Sequence, residues 1–200
     1  MDMQYYQHLL IIGVVIVPVW CLFIYFWPRL LLSVYKRGLL VRGFGEGPIP
    51  LNTLYTEPQK LFAEPITSQT ASSSNLMTVG VNHDTLSTAG WLDLSKGPLV
   101  LHVPDMHERY YSVQFTDPSK NTNFAYVGKR TTGTQAGDYL ITGPGWNGQA
   151  LSGMRQISSP NNAVLVLARV LVLTDSDVET VYALSKQIQL TPLSHWQPRQ

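Results

Sequence analysis

The sequence predicts a mainly β fold, an antiparallel β-sandwich or partly open barrel with one short C-terminal amphipathic helix, preceded by an N-terminal transmembrane helix. Three observations predict it: an uncharged apolar run near the N-terminus, short apolar runs between turn sequences from Leu76 onward, and a change to helical periodicity near the end. They divide the 200 residues into four parts. These are a tail (1–8), a transmembrane helix with a basic extension (9–37), a Pro/Gly/Ser-rich connector (38–75) and a β-rich domain (76–200).

The apolar run is predicted to be a retained membrane anchor. No Asp, Glu, Lys or Arg occurs between Met3 and Pro28, and residues 9–27 are numerous enough to cross roughly 30 Å of hydrocarbon as a helix. A cleavable signal peptide would have basic residues before the run and a small-residue cleavage site after it, and neither pattern is present. The anchor residues are Leu9, Ile12, Val15, Trp20, Phe23 and Trp27.

The charges beside this run predict its orientation. Arg29, Lys36, Arg37 and Arg42 follow it, whereas no Lys or Arg precedes it. The positive-inside rule therefore predicts a single-pass protein of the bacterial inner membrane with its domain in the cytoplasm. A periplasmic domain is the alternative.

The β-rich domain is predicted from a regular alternation of strand and turn sequences. Strand-like runs include LMTVGV, LVLHV, YYSVQF, FAYVG, DYLITG and AVLVLARVLVL, with Gly, Pro, Asn and Asp between them. The final helix is predicted from Val178, Val181, Leu184 and Ile188, which share one helical face. Ser176 and Glu179 have the spacing of a capping box.

The stretch LVLHVPDMHERYYSVQF, residues 99–115, contains the most conspicuous polar group. We interpret it as a β-hairpin whose solvated tip carries an ion pair between Glu108 and Arg109. The alternative is a zinc or non-haem iron site made by His102, Asp105 and His107, with one coordination position open to water. Their spacing matches no metal motif, so we predict no metal and no other cofactor.

Three further groups are candidates for ligand binding. Asn82, Asp84 and Thr85 either cap a turn or supply a general base and hydrogen bonds to a ligand. The loop of residues 129–138 is either structural or a nest for an anion. Arg169 lies in a run that is apolar on both faces, so we predict that its guanidinium is buried and paired. Its partner is either Asp84, Asp105 or Asp138 in a structural ion pair, or the carboxylate of a bound ligand. The remaining ligand-binding candidates are Arg109, Tyr111, Arg130, Thr131 and Thr132.

Two blocks resemble a known family. NHDTLSTAGWLDLSKGPLVLHVPDMHERYYSVQFTD and NTNFAYVGKRTTGTQAGDYLITGPGW, from about Val81 to Trp146, are similar to the signature blocks of domain-of-unknown-function family 1254, here in a short, membrane-anchored version. The resemblance implies a β-sandwich-like domain and a companion β-rich domain of family 1214. It implies no reaction. Many relatives look exported, which implies a periplasmic domain instead.

The sequence leaves two hypotheses for function. A net charge of +1 gives no field that would attract nucleic acid, which we exclude as a partner. The first hypothesis is a membrane-anchored interaction or assembly subunit whose partners are the lipid bilayer and a protein with the companion β-rich domain. The alternative is a hydrolase or lyase for a small apolar or anionic molecule. In that case Asp84, Asp105 and His107 are the catalytic candidates, with His102 and Arg130 beside the same cavity.

Overall fold

The computed structural model describes residues 3–42, 47–56, 84–149 and 151–198, with side chains from Val14 onward except Leu39. The predicted strand at 76–81, Asn82 and most of the connector lie outside the described residues. The helices are α1 (Met3–Arg42) and α2 (Val178–Ser185), with short 3-10 turns at Leu94–Lys96, Asp175–Asp177 and Leu193–His195. The strands are β1 (Tyr55–Thr56), β2 (Thr85–Asp93), β3 (Leu99–Val103), β4 (Tyr111–Asp117), β5 (Thr122–Gly128), β6 (Gly137–Thr142), β7 (Arg155–Ser158), β8 (Ala163–Leu171) and β9 (Gln189–Pro192).

The strands form two sheets that pack as a sandwich, which confirms the predicted fold class and selects the sandwich over a barrel. Sheet A has the order β1-β2-β8-β4-β5, and sheet B has the order β7-β6-β3-β9. Only β6 and β7 are parallel among the described pairs. The core between the sheets is apolar, with Leu86, Leu101, Phe115, Ile141 and Val166 all fully buried.

Strand β8 has two different faces. Val164, Val166, Ala168 and Val170 point into the core and are at most 1% exposed. The alternate side chains, including Leu165 and Leu167, are half-buried on the outer face of sheet A. The long apolar run was predicted correctly as a strand, but its apolar outer face is not a second buried face.

The predicted hairpin of residues 99–115 is wrong. Strand β3 pairs with β6 and β9 in sheet B, whereas β4 pairs with β5 and β8 in sheet A. Residues 104–110 therefore cross from one sheet to the other. Alternating side chains specify strands and their buried faces, but not the strand that each one pairs with.

The predicted C-terminal helix is confirmed as α2, but its predicted capping box is wrong. Val178 and Val181 are buried as expected. The helix begins after Asp177 with no side-chain cap, and the Ser176 hydroxyl lies 3.0 Å from the hydroxyl of Thr174. A 3-10 turn at Asp175–Asp177 occupies the position where a capping box would have opened the helix.

Helix α1 exposes a long apolar surface, which Arg29 interrupts near its end. Every side chain from Val14 to Leu31 is exposed. The helix from Val14 to Arg42 is long and apolar enough to cross a membrane, a property that it shares with signal sequences. Of the predicted anchor residues, Val15, Trp20, Phe23 and Trp27 are 45–59% exposed, and the side chains of Leu9 and Ile12 lie outside the described part.

A short arm, residues 47–56, connects sheet A with the chain that follows α1. Its strand β1 pairs with β2, and the backbone N–H of Asn52 donates to the Trp91 carbonyl at 2.9 Å. The Asn52 side-chain oxygen accepts from the N–H of Asp93 at 2.7 Å. Lys36 of α1 lies 5.1 Å from the centre of the Trp91 ring. The arm and the end of α1 thus both contact β2.

Gly90 allows the arm to approach β2 closely. A Cβ at this position would lie 2.4 Å from the Thr53 carbonyl oxygen and 2.8 Å from a Leu54 methyl carbon.

We expect Gly90→Ala to displace the arm and to destabilise the full-length protein by about 1–3 kcal/mol, measured as a lower melting temperature in detergent. Gly38→Ala is the matched control, because a Cβ there meets nothing within 4 Å. Equal melting of both variants would contradict the close approach.

Candidate functional site

Most of the predicted site residues lie at one end of the sandwich, which we call the loop end. It consists of the β3–β4 loop (104–110), the β5–β6 loop (129–136) and the segment between β8 and α2 (172–177). Asp84 joins it, because its carbonyl accepts from the N–H of Val172 at 2.8 Å. Strand order in sheet A, with β8 between β2 and β4, brings these distant segments together.

Arg109 ties two of these segments together. Its guanidinium donates to both carboxylate oxygens of Asp177, at 2.6 and 2.9 Å, and to the carbonyl of Leu171 at 2.8 Å. Both side chains of this ion pair are only 17% exposed. Hydrogen bonding by Arg109 holds the pKa of Asp177 below its ordinary value. The predicted pair of Arg109 with Glu108 is therefore wrong, and Arg109 clamps the β3–β4 loop to the start of α2.

Glu108 instead bonds to the β5–β6 loop. Its carboxylate accepts from the Thr134 hydroxyl at 2.8 Å and lies 3.4 Å from the Lys129 ammonium. These contacts, the Thr134 bond first, lower the pKa of Glu108. Lys129 also donates to the Glu108 carbonyl, and Met106 N–H donates to the Thr134 carbonyl at 2.8 Å. Two loops that belong to different strand pairs are thereby fixed against each other.

Three of the ligand-binding candidates, Tyr111, Thr131 and Thr132, are engaged in structural hydrogen bonds within or to the β5–β6 loop. The Tyr111 hydroxyl donates to the Gly133 carbonyl at 3.0 Å. Thr131 and Thr132 donate to the Gly128 carbonyl, and Thr132 also accepts from the Gly128 N–H at 3.1 Å. These bonds close the turn that follows β5. They support the structural alternative for this loop over an anion nest.

Arg130 is exposed, with its guanidinium 5.6 Å from the centre of the Tyr110 ring. It remains available on the surface of the loop end. Among the described residues, no carboxylate forms an ion pair with it. The side chain therefore adds an exposed positive charge beside an aromatic ring.

The three residues proposed as metal ligands do not form one set, because Asp105 and His107 contact each other, at 3.5 Å between Oδ1 and Nδ1, whereas His102 pairs with another residue. His102 on β3 bonds through Nδ1 to Asp138 on β6 at 2.8 Å, and both are largely buried. Asp105 accepts from the N–H of His107 at 2.8 Å, and the His107 ring is 83% exposed. Within the described parts of the chain, no three His, Cys, Asp or Glu residues are placed to hold one ion. His102 is instead part of a cross-strand pair.

Arg169 is exposed, so the predicted buried ion pair is wrong. It lies on the outer face of sheet A, opposite Ser87 on β2 and Ser112 on β4. Of its three predicted partners, Asp138 binds His102, and Asp105 accepts from His107. The outer face of sheet A is open to solvent at this position, so the Arg169 guanidinium stays hydrated although most of its neighbours in the run are apolar.

A groove of about 510 Å³ opens between the β3–β4 loop and α2, and we call it the loop–helix groove. His107 and Glu108 at its rim both have left-handed backbone conformations, with φ of 47° and 61°. Such conformations are uncommon for residues other than glycine. The groove is lined by Met106, His107, Arg109, Ser176, Glu179, Thr180, Ala183, Leu184 and Gln187.

The enzyme hypothesis requires its polar residues to converge on one cavity. Of its candidates, His107 lines the loop–helix groove, whereas Asp84, Asp105, His102 and Arg130 do not. Thr85 starts β2 beside Leu171 of β8 and does not line this groove either.

Sequence reasoning missed a buried polar network at the opposite end of the sandwich. The Asp117 carboxylate is fully buried and accepts from Ser119, through its N–H and hydroxyl, and from the Asn161 amide at 2.7 Å. Although burial by itself raises the pKa of Asp117, these bonds together hold it below its ordinary value. The sequence Asp-Pro-Ser indicates the local turn. No local signal indicates Asn161, which lies in the β7–β8 connection.

The Arg109–Asp177 clamp gives a test by mutation and pH. Because the pKa of Asp177 is lower in the folded protein, its stabilisation is complete above about pH 4 and is lost as the pH falls through the folded-state pKa. At pH 7 we expect Asp177→Asn to reduce the free energy of unfolding by about 1.5–3 kcal/mol. The difference from wild type should shrink on acidification. Asp175→Asn, at an exposed neighbour, is the control, and an equal effect of both would refute the clamp.

Comparisons with known proteins agree with this fold. The family model described as "Protein of unknown function (DUF1254)" matches residues 64–192. The VPA0106 protein from Vibrio parahaemolyticus has a similar crystal structure, with a TM-score of 0.61 and 22% identity over 88% of this chain and 40% of that one. A putative uncharacterized protein from Burkholderia cenocepacia has a TM-score of 0.42 and 12% identity over 73% of this chain and 36% of that one.

The Vibrio structure supports the fold alone at this identity, and the present chain spans 40% of its length. No protein of curated function matches the sequence. The family match covers well over half of the chain and includes every described strand except β1. The chain therefore belongs to the DUF1254 family of proteins of unknown function.

Proposed function

We propose that this chain is a membrane-anchored interaction subunit, whose β-sandwich docks a second protein at the loop end. The observation that carries the proposal is the exposure of every side chain from Val14 to Leu31 in α1. An apolar helix with no buried face is unstable in water and needs lipid or protein around it. The stretch, which contains Arg29 near its end, spans about 27 Å at 1.5 Å per residue, close to the roughly 30 Å of a hydrocarbon core.

The charges beside the helix support a cytoplasmic domain. Lys36, Arg37 and Arg42 follow the exposed apolar stretch, and Arg29 lies near its end with its guanidinium over the ring of Tyr25. Basic residues are retained on the cytoplasmic side during insertion. We place the chain in the bacterial inner membrane with its N-terminus outside.

Membrane insertion is tested on the full-length chain. We expect it to resist alkaline carbonate extraction and to retain its N-terminal methionine or Asp2 by intact-mass measurement. Protease should digest the domain in inside-out vesicles but not in spheroplasts.

A double substitution tests the same helix. Ile16→Arg combined with Leu22→Arg should release the chain into the soluble or aggregated fraction, since each arginine costs about 3 kcal/mol in a helix centre. Arginine at Val41, exposed beyond the apolar stretch, is the control. Loss of the helix from the mature chain would identify it as a signal sequence and refute the anchor.

The loop end supports protein docking better than chemistry. Its polar side chains mostly bond to one another, so that few are left to act on a substrate. Leu173 beside the Arg109–Asp177 clamp is 70% exposed, and the Tyr110 and Arg130 pair lies on the same end. Exposed Leu173 and Arg130, together with the half-buried Tyr110, provide apolar contact area and charged hydrogen-bond donors for a protein partner.

The partner that we propose is a protein with the companion β-rich domain of family 1214. The support is the resemblance of residues 81–146 to a family whose members are often followed by, or encoded near, that companion domain. The membrane anchor of this chain would raise the local concentration of the two proteins.

Docking is tested by affinity purification from native membranes in mild detergent. We expect a stoichiometric partner with the wild-type chain and at least a tenfold loss with Leu173→Asp, because a carboxylate would enter the apolar contact. Leu151→Asp is the matched control, since Leu151 is a 47% exposed leucine in the β6–β7 connection. Partner retention by Leu173→Asp, or equal loss in both variants, would contradict docking at the loop end.

A further inference from the structure

A second groove lies on the other side of α2, between the edge strands of the two sheets. Strand β1 ends sheet A and β9 ends sheet B, and α2 lies beside both. The space between them measures about 410 Å³, within the range of ligand sites in proteins. We call it the edge groove, and it is lined by Thr53, Leu54, Tyr55, Thr56, Tyr182, Lys186, Ile188, Gln189 and Leu190.

The edge groove exposes polar and apolar surface in about equal parts, and its apolar side chains form the floor. Ile188 is 3% exposed and belongs to the core, while Leu54, Tyr182 and Leu190 are partly buried and pack against the same core. This floor continues the hydrophobic core to the surface at a gap between two sheet edges. An alkyl chain lying on it would remove apolar surface from water at roughly 25 cal/mol per Å².

Lys186 is the charged residue among those lining the groove. It is exposed, and its ammonium lies 4.4 Å from the centre of the Tyr182 ring. Among the described residues, no Asp or Glu forms an ion pair with Lys186. The groove therefore combines one unpaired positive charge with an apolar floor.

We propose that the edge groove binds an amphiphilic carboxylate, a molecule with an alkyl chain and one negative end. The carboxylate pairs with the Lys186 ammonium, and the alkyl chain lies over Leu54, Ile188 and Leu190. Charge and floor select this class together: a neutral alkane leaves Lys186 unused, and a small anion leaves the floor exposed. The proposal does not depend on the membrane anchor or on the loop end, because the edge groove and the loop–helix groove share no lining residue.

The test is calorimetric titration of decanoate, below its micelle-forming concentration, into the full-length protein held in a non-ionic amphipol, with the protein-free amphipol titrated as the blank for partitioning of the probe. We expect saturable one-to-one binding. Lys186→Gln, which keeps most of the side-chain stem, should weaken decanoate at least tenfold, as expected for losing a charge-assisted hydrogen bond. It should leave the affinity for decanol unchanged.

Lys96→Gln, at an exposed lysine in the 3-10 turn after β2, is the control and should bind decanoate like wild type. Three results would each overturn the proposal. They are the absence of saturable binding to the wild-type chain, an undiminished affinity in Lys186→Gln, or an equal loss in Lys96→Gln. If residues of the chain itself fill the groove, decanoate will show no saturable binding to the wild-type chain.

Discussion

Strand β8 is the element on which the rest of the structure depends. It pairs along nine positions with β2 and along six with β4, and these two strands do not pair with each other. Its inner face contributes Val164, Val166, Ala168 and Val170 to the core. Burying each valine is worth about 1.5–3 kcal/mol before the entropy cost of folding. Without β8, sheet A would separate into two edge pieces with no shared core.

The position of β8 also determines where the surface features lie. Because β2 and β4 flank it, the chain segments around Asp84, Tyr110 and Leu171 meet at one end, and the Arg109–Asp177 clamp then fixes α2 there. Helix α2 buries Val178 and Val181 and leaves a groove on each side. The two grooves differ in chemistry. The loop–helix groove has charges of both signs, whereas the edge groove has one lysine over an apolar floor.

The sequence predicted the helices and strands better than it predicted which strands pair and which side chains contact one another. The alternation of apolar and polar residues predicted β3, β4, β6 and β8, and helical spacing predicted α2. Both patterns can be recognised within a few residues, because an element with one buried face repeats its apolar residues at the period of a strand or a helix. The hairpin prediction failed since the same alternation suits strands of different sheets. Arg109 was paired with its neighbour Glu108 when its partner, Asp177, is distant in sequence and can be recognised only once β8 has positioned it. Arg169 was expected to be buried because an apolar outer face resembles a buried one.

The candidate site was predicted as a collection of residues but not as an arrangement. Asp105, His107, Arg109, Tyr111 and Arg130 do gather at the loop end, since short loops of a sandwich collect at its two ends. Their hydrogen bonds could not be predicted, and these bonds change the interpretation. Side chains that looked available for a ligand hold loops together, and for this reason we propose contact with another protein rather than chemistry at this end.

The central claim is that a partner protein covers the loop end while the chain is anchored in its native membrane. Hydroxyl-radical footprinting of the full-length chain tests it directly, by comparing native membrane vesicles with the purified protein in detergent. We expect Leu173, Tyr110 and His107 to lose most of their reactivity in the vesicles, while exposed Leu151 and Tyr126 keep theirs. Equal reactivity of the loop end in both preparations would contradict the claim.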